Sequence, residues 1–163
     1  MNGNTKTAGG RLNRAAKLLA VLTALLLLVS FGAAETWEDR LMAAGLDIVA
    51  EGTYTDLDHV AAYLVFYGEL PSNYVTKKQA RKKGWSNGED LWKTLPGYSL
   101  GGDSFGNREG LLPSAKGRVW TECDINTLGK KSRGAERLVF SNDGLIYYTG
   151  DHYEHFELLY GEE

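Results

Sequence analysis

Asn142-Asp143-Gly144 stands between two β-rich runs, residues 137–140 and 145–149, and sets an antiparallel hairpin late in the chain. Glycine supplies the positive φ that such a tight turn requires. Runs of the same kind lie at 98–100, 118–125 and 156–160, so the chain after Tyr98 reads as a strand meander. Before Tyr98 the period changes. Leu57, Val60, Ala61 and Leu64 recur at helical spacing between Thr55, a good N-cap, and Gly68, a stop. Thr76-Lys77-Lys78-Gln79 is a capping box opening a second helix that ends near Gly84. A short third turn over residues 88–93 precedes Pro96-Gly97. Helices followed by an antiparallel meander define an α+β fold.

The N-terminus reads as a separate element. Lys6, Arg11, Arg14 and Lys17 precede an apolar run over residues 18–31, and Gly32-Ala33-Ala34 follows. That order predicts a secretory signal peptide over residues 1–34, because the apolar run is shorter than the roughly 20 residues of a membrane span. The alternative is an uncleaved anchor. Residues 35–53 fit a propeptide or linker, although Trp37, Leu41, Ala44 and Ile48 recur at helical spacing. The folded domain is then 54–163, expected outside the cell, monomeric and without stable membrane association once the leader is cleaved. It must rest on its core, because the single cysteine, Cys123, excludes an internal disulfide.

Charge narrows the partners. The chain carries 18 basic and 21 acidic residues, for a net −3. Residues 1–53 hold five of each, so the domain keeps the same −3. A protein that coats duplex DNA is normally basic. A catalyst that grips one or two phosphates needs only a local cationic cluster.

Such a cluster is present. Glu122 shares strand parity with Trp120 and Asp124, so these three side chains project to one face while Cys123 projects to the other. Arg118, Arg133 and Arg137 lie close in sequence or on a neighbouring strand. Metal-free cleavage of RNA needs a base for the 2'-hydroxyl, an acid for the departing 5'-oxygen, and fixed cations for the phosphoryl oxygens. A carboxylate and an imidazole hold opposite protonation states in mildly acidic solution. Lys77 and Lys78 sit directly after the Thr76 cap, where the helix dipole disfavours cations, and a helix start with a lysine suits an anion. Phe105-Gly106-Asn107-Arg108-Glu109 offers an aromatic ring, backbone N–H groups and a carboxylate, the means by which single-stranded bases are read. No Cys pair, His-x-x-x-His, Asp-rich loop or P-loop is present, so no metal or cofactor is expected.

These segments resemble the barnase family of small secreted bacterial ribonucleases. The likeness runs through Trp120-Thr121-Glu122-Cys123-Asp124-Ile125-Asn126, the loop from Phe105 to Glu109, and Asp151-His152-Tyr153, and it covers roughly residues 54–159. It implies helices packed on one face of a five-stranded antiparallel sheet, and an endoribonuclease acting after guanosine through a 2',3'-cyclic phosphate. By the same resemblance Glu122 is the base and His152 the acid. Lys77, Arg133 and Arg137 bind phosphate, and Tyr153 flanks the pocket. The segment from Asn126 to Arg133 is one residue longer than the family pattern, leaving Lys130 and Lys131 as alternatives for that cation. The loop is implied to read guanine, with Glu109 as the carboxylate and Arg108 supporting it. The family more often has serine at the Gly106 position. Asp103 and Asp124 are read as supporting carboxylates. Of the other histidines, His59 falls in the first helix, and His155 would point away from His152 along a strand. The implied partners are single-stranded RNA and an acidic inhibitor of the barstar type. The rival reading is a catalytically silent RNA- or protein-binding module on the same fold.

Overall fold

The computed structural model describes residues 45–162. The expected leader, and most of the helix-spaced residues from Trp37 to Ile48, lie outside that range. Within it, no helix is long and apolar enough to cross a membrane.

The first helix, α1 (Leu57–Tyr67), is capped by Asp56 rather than Thr55: the Asp56 carboxylate accepts from the His59 amide, 3.1 Å away. Thr55 instead offers its carbonyl to the Asn126 amide, which ties the helix entry to the sheet. Gly68 ends α1 in the left-handed conformation, as its position suggests. Val60, Ala61 and Leu64 pack against Cys123, Ile125, Leu138, Ile146 and Leu159 to form the main core. Burying each large aliphatic side chain there contributes about 1.5–3 kcal/mol. Ala62 and Tyr63 are buried as well, on a different side of α1. Tyr63 donates to the Ala50 carbonyl at 2.8 Å, and the Tyr54 hydroxyl accepts from the Val49 amide at 3.1 Å. Val49 and Ala50, before the expected boundary at residue 53, thus each contact a tyrosine of the segment that follows.

A two-residue strand, β1 (Tyr74–Val75), leads into α2 (Lys77–Lys82), whose Thr76–Gln79 capping box forms as read. A short turn of helix, α3 (Leu91–Thr94), is capped by Asp90. Ala80, Trp85, Leu91, Leu95 and Leu100 close a second small core beneath α2.

Five strands follow: β2 (Ser99–Phe105), β3 (Trp120–Asp124), β4 (Arg137–Ser141), β5 (Ile146–Thr149) and β6 (Glu157–Tyr160). They pair antiparallel in sequence order, as the meander predicts, and β1 adds a sixth, parallel strand beside β2. The five-strand expectation thus holds for the antiparallel part alone. A strand as brief as β1 has too few side chains to show a period.

β2 runs five residues beyond its expected end at Leu100, through Gly101-Gly102 to Phe105. The glycine pair explains why. A Cβ on Gly101 would stand 2.6 Å from both the Cys123 Cβ and the Tyr74 ring, so only glycine permits this close approach. Gly102, at φ +88°, is the extra residue of a bulge between Gly101 and Asp103. The bulge sets Asp103 directly opposite Glu122.

Candidate active site

The face of the sheet turned away from α1 carries Asp103 and Phe105 from β2, Trp120, Glu122 and Asp124 from β3, and Arg137 and Val139 from β4. Its floor changes character along β3. Around Trp120 it is apolar, where Leu112, Val139, Leu145 and Tyr147 form a third buried cluster. Around Asp124 it is cationic. Glu122 sits between the two.

Glu122 is buried but well partnered. Lys77 Nζ lies 2.5 Å from its Oε1, and the Tyr153 hydroxyl donates to its Oε2. Burial pushes the Glu122 pKa up, but the hydrogen bonds from Lys77 and Tyr153 and the charges of Lys77 and Arg133 outweigh it. The net shift is below the ordinary glutamate value. Tyr153 moves the opposite way: burial, and then the hydrogen bond to Glu122 and its charge, hold the phenol protonated well above its usual range.

Lys77 is placed by its own backbone. Its amide donates to Asp103 Oδ2 at 2.8 Å, so the bulged strand supplies a carboxylate to the start of α2. That amide is therefore occupied, and the side chain of Lys77, not the helix terminus, faces the site.

Asp124 organises the cations. Arg133 donates to it from Nε and Nη2, at 2.6 and 2.7 Å, in the fork geometry of a bidentate pair. Burial would lower the Arg133 pKa, but these hydrogen bonds and the Asp124 charge hold it above its ordinary value. Arg137 is 1% exposed. Its Nε stands 2.9 Å from Asp124 Oδ1 without hydrogen-bond alignment, while Nη1 and Nη2 donate to the carbonyls of Arg133, Glu136 and Gly134. Arg133 thus occupies the cationic position next to Asp124. Lys130 is exposed and pairs with Glu136 at 3.7 Å, and Lys131 is exposed. Arg118 belongs elsewhere: it pairs with Asp143 of the hairpin at 2.9 Å and does not join the cluster.

His152 and Tyr153 lie in the loop between β5 and β6, both with left-handed backbone, at φ 61° and 77°. The His152 ring packs at 4.8 Å on Tyr153, the residue whose hydroxyl holds Glu122. Glu122 and His152 therefore flank one aromatic side chain in a single cleft. Left-handed backbone costs a non-glycine residue about 1–2 kcal/mol, so something must hold the loop. Asp151 does. Its Oδ1 accepts from the Thr149 hydroxyl and the Glu154 and His155 amides, at 2.9, 3.1 and 3.0 Å. Its Oδ2 meets His155 Nδ1 at 2.6 Å. These bonds hold Asp151 well below the ordinary carboxylate range and raise His155.

His155 therefore differs from its sequence reading. It lies in a loop before β6 rather than on a strand, and it pairs with the aspartate beside His152. Sequence reasoning missed this contact, whose only signal was the i, i+4 spacing of Asp151 and His155. Among the described residues, Asp151, Glu154 and His155 form a group whose ligand atoms come within 4.8 Å of one another, all at the surface.

The base-reading candidates begin where β2 ends. Phe105 packs on Tyr153 at 5.2 Å, which joins the loop to the candidate cleft. Asn107, at φ 40°, braces the loop by donating to the Leu112 carbonyl at 2.8 Å and accepting from the Leu112 amide at 3.0 Å. Gly106, Arg108 and Glu109 are exposed. A groove of about 360 Å³ borders the loop, lined in part by Phe105, Gly106, Asn107, Arg118 and Trp120.

Comparison with known proteins gives the family. Residues 58–160 match the ribonuclease family. The chain belongs to that family. A ribonuclease of Heyndrickxia coagulans is 54% identical over 100 residues, covering 61% of this chain and 91% of the relative. A ribonuclease of Bacillus intermedius is 50% identical over 111 residues, 68% of each chain. A guanyl-specific ribonuclease of Saccharopolyspora erythraea is 41% identical over 61 residues, 37% of this chain and 60% of the relative. In this ribonuclease the matched region contains every residue of the cleft, from Lys77 to Tyr153.

Proposed function

We propose that this ribonuclease cleaves single-stranded RNA after guanosine in two steps, without a metal. Glu122 takes the 2'-hydroxyl proton as that oxygen attacks phosphorus. The P–O5' bond breaks, and protonated His152 gives its proton to the leaving oxygen. The 2',3'-cyclic phosphate is then opened by water, with His152 taking the water's proton and Glu122 returning one to O2'. Lys77, Arg133 and Arg137 offset charge on the phosphoryl oxygens. Asp103 and Asp124 hold those cations in place. Tyr153 and Phe105 wall the pocket, and the loop through Gly106, Asn107, Arg108 and Glu109 meets the base.

The observation that carries this reading is the bridge through Tyr153, with Glu122 on its hydroxyl and His152 on its ring. A silent binding module needs no such pairing of base and acid beside three cations. The lowered Glu122 pKa fits a base that stays ionised in mild acid. The guanosine preference rests on the loop and on the name of the Saccharopolyspora relative. The basic–apolar–small pattern of residues 1–34 supports export of the enzyme, and a cationic cleft suits an acidic inhibitor of the barstar type.

The test is cleavage of guanylyl and adenylyl dinucleotides by the exported protein in EDTA. Faster cleavage of the guanylyl substrate, with DNA untouched, is expected. EDTA-sensitive cleavage, or equal attack on DNA, defeats the reading.

A further inference from the structure

α2 concentrates positive charge where the rest of the domain is acidic. Lys77, Lys78, Arg81, Lys82 and Lys83 put five cations and no acid into residues 77–83. Residues 54–163 hold 13 basic and 16 acidic residues, so the remainder has eight basic against sixteen acidic. Local stability accounts for only part of the pattern, because Arg81, Lys82 and Lys83 suit the C-terminal end of the helix dipole but the other contacts do not. Lys77 and Arg81, and Lys78 and Lys82, are like-charge pairs at i, i+4, which weaken a helix, and the first two lysines oppose the dipole at its N-terminus. Nor do acids neutralise it. Among the described residues, Lys77 alone of the five pairs with a carboxylate, while Arg81 reaches only Asn87, at 3.4 Å.

The face has a direction. Ala80 is buried against the second core, so Lys78 and Lys82, roughly opposite it at 100° per residue, project outward. The row begins inside the cleft, since Lys77 touches Glu122, and it continues away along the helix at about 5.4 Å per turn. α2 leaves the cleft beside Asp103, and the base-reading loop leaves it at Phe105, two residues further along β2.

We propose that Lys78, Arg81, Lys82 and Lys83 form a phosphate track that binds the single-stranded RNA backbone beyond the nucleotides at the cleft. The inference rests on the ribonuclease reading and deepens it: this enzyme takes oligomeric RNA, and its preference for long over minimal substrates lies on α2. RNA is favoured over an acidic protein because the row is continuous with the group that meets the scissile phosphate.

The test compares kcat/KM for a guanylyl dinucleotide and a twelve-nucleotide RNA containing one guanosine, at salt from 50 to 200 mM. Lys82 and Lys83 lie about 7.5–9 Å further along the helix axis than Lys77, away from a dinucleotide at the cleft. K82Q/K83Q is expected to keep the wild-type dinucleotide rate and to lose about tenfold on the twelve-mer at low salt. Its salt exponent on the twelve-mer should flatten by about 1.4, or 0.7 for each lost contact. K93Q/K116Q removes the same charge elsewhere and should leave that exponent within about 0.3 of wild type. Equal losses on both substrates, an unchanged exponent, or an equal effect of the control pair overturns the track. Failure of the wild-type enzyme to cleave the dinucleotide in EDTA would instead defeat the underlying catalytic reading.

Discussion

Two parts of the cleft are held in different ways. On β3, Glu122 and Asp124 are buried, and each has ionic or hydrogen-bonded partners from other elements. The loop after Phe105 is exposed at Gly106, Arg108 and Glu109, and is braced chiefly by the two bonds between Asn107 and Leu112. Under the proposed function, the chemistry is preorganised before substrate arrives, whereas base recognition is left to a segment that can adjust. Charge stabilisation demands fixed dipoles. Reading a splayed base demands a surface that can close on it.

Substitutions can break this contrast, and the largest effect falls on the chemistry. His152→Ala should lower kcat about 10²–10⁴-fold on a guanylyl dinucleotide, because a positioned proton transfer is lost. Its ring is exposed, so stability should hold within about 0.5 kcal/mol. Retained activity would remove His152 from the site.

Asp124→Asn strips the shared carboxylate from Arg133 and from an Arg137 that is only 1% exposed. Leaving a buried charge uncompensated costs about 3–5 kcal/mol, read as a lower urea midpoint. A change under 1 kcal/mol would show that the network is not holding the cations.

Tyr153→Phe removes a hydrogen bond to a charged group, worth about 1.5–3 kcal/mol. It also bears on pH. Glu122 is lowered in the folded enzyme, so its ionised form persists as pH falls, and the acid limb of kcat/KM should lie below the ordinary glutamate range. Without the phenol that limb should move to higher pH. An unmoved limb would mean that Tyr153 does not act through Glu122.

Gly106→Ser sharpens the other side of the contrast. Its φ lies outside the left-handed region, and a Cβ there would meet Arg108 at 3.5 Å, ordinary contact. Serine should fit and restrain the loop by about 0.4–1 kcal/mol, raising the guanylyl-to-adenylyl ratio two- to fivefold. A falling ratio would show that recognition depends on the mobility glycine allows.

Much of the fold was legible because it follows short-range rules. The Thr76 box, the Gly68 stop, the turn at Asn142-Asp143-Gly144 and the five antiparallel strands need only neighbours a few residues apart. The misses share a cause. Asp56 rather than Thr55 is the cap because the helix opens one residue later, while Thr55 is tied to Asn126 far along the chain. β2 outran its reading because Gly101-Gly102, which looks like a break, answers a close approach by Cys123 and Tyr74. His155 was placed on a strand because no periodic signal marks a turn built by one aspartate.

The sequence by itself determined the inventory: a glutamate and an aspartate on one face of a strand, and a motif that singles out His152. It also determined the order of helices and strands. Only the tertiary structure decided that Lys77 meets Glu122, that Arg133 rather than Lys130 meets Asp124, and that Tyr153 stands between Glu122 and His152. Those contacts depend on strand register, on one bulge and on two left-handed residues. Each is settled by packing between segments far apart along the chain, which local periodicity does not encode.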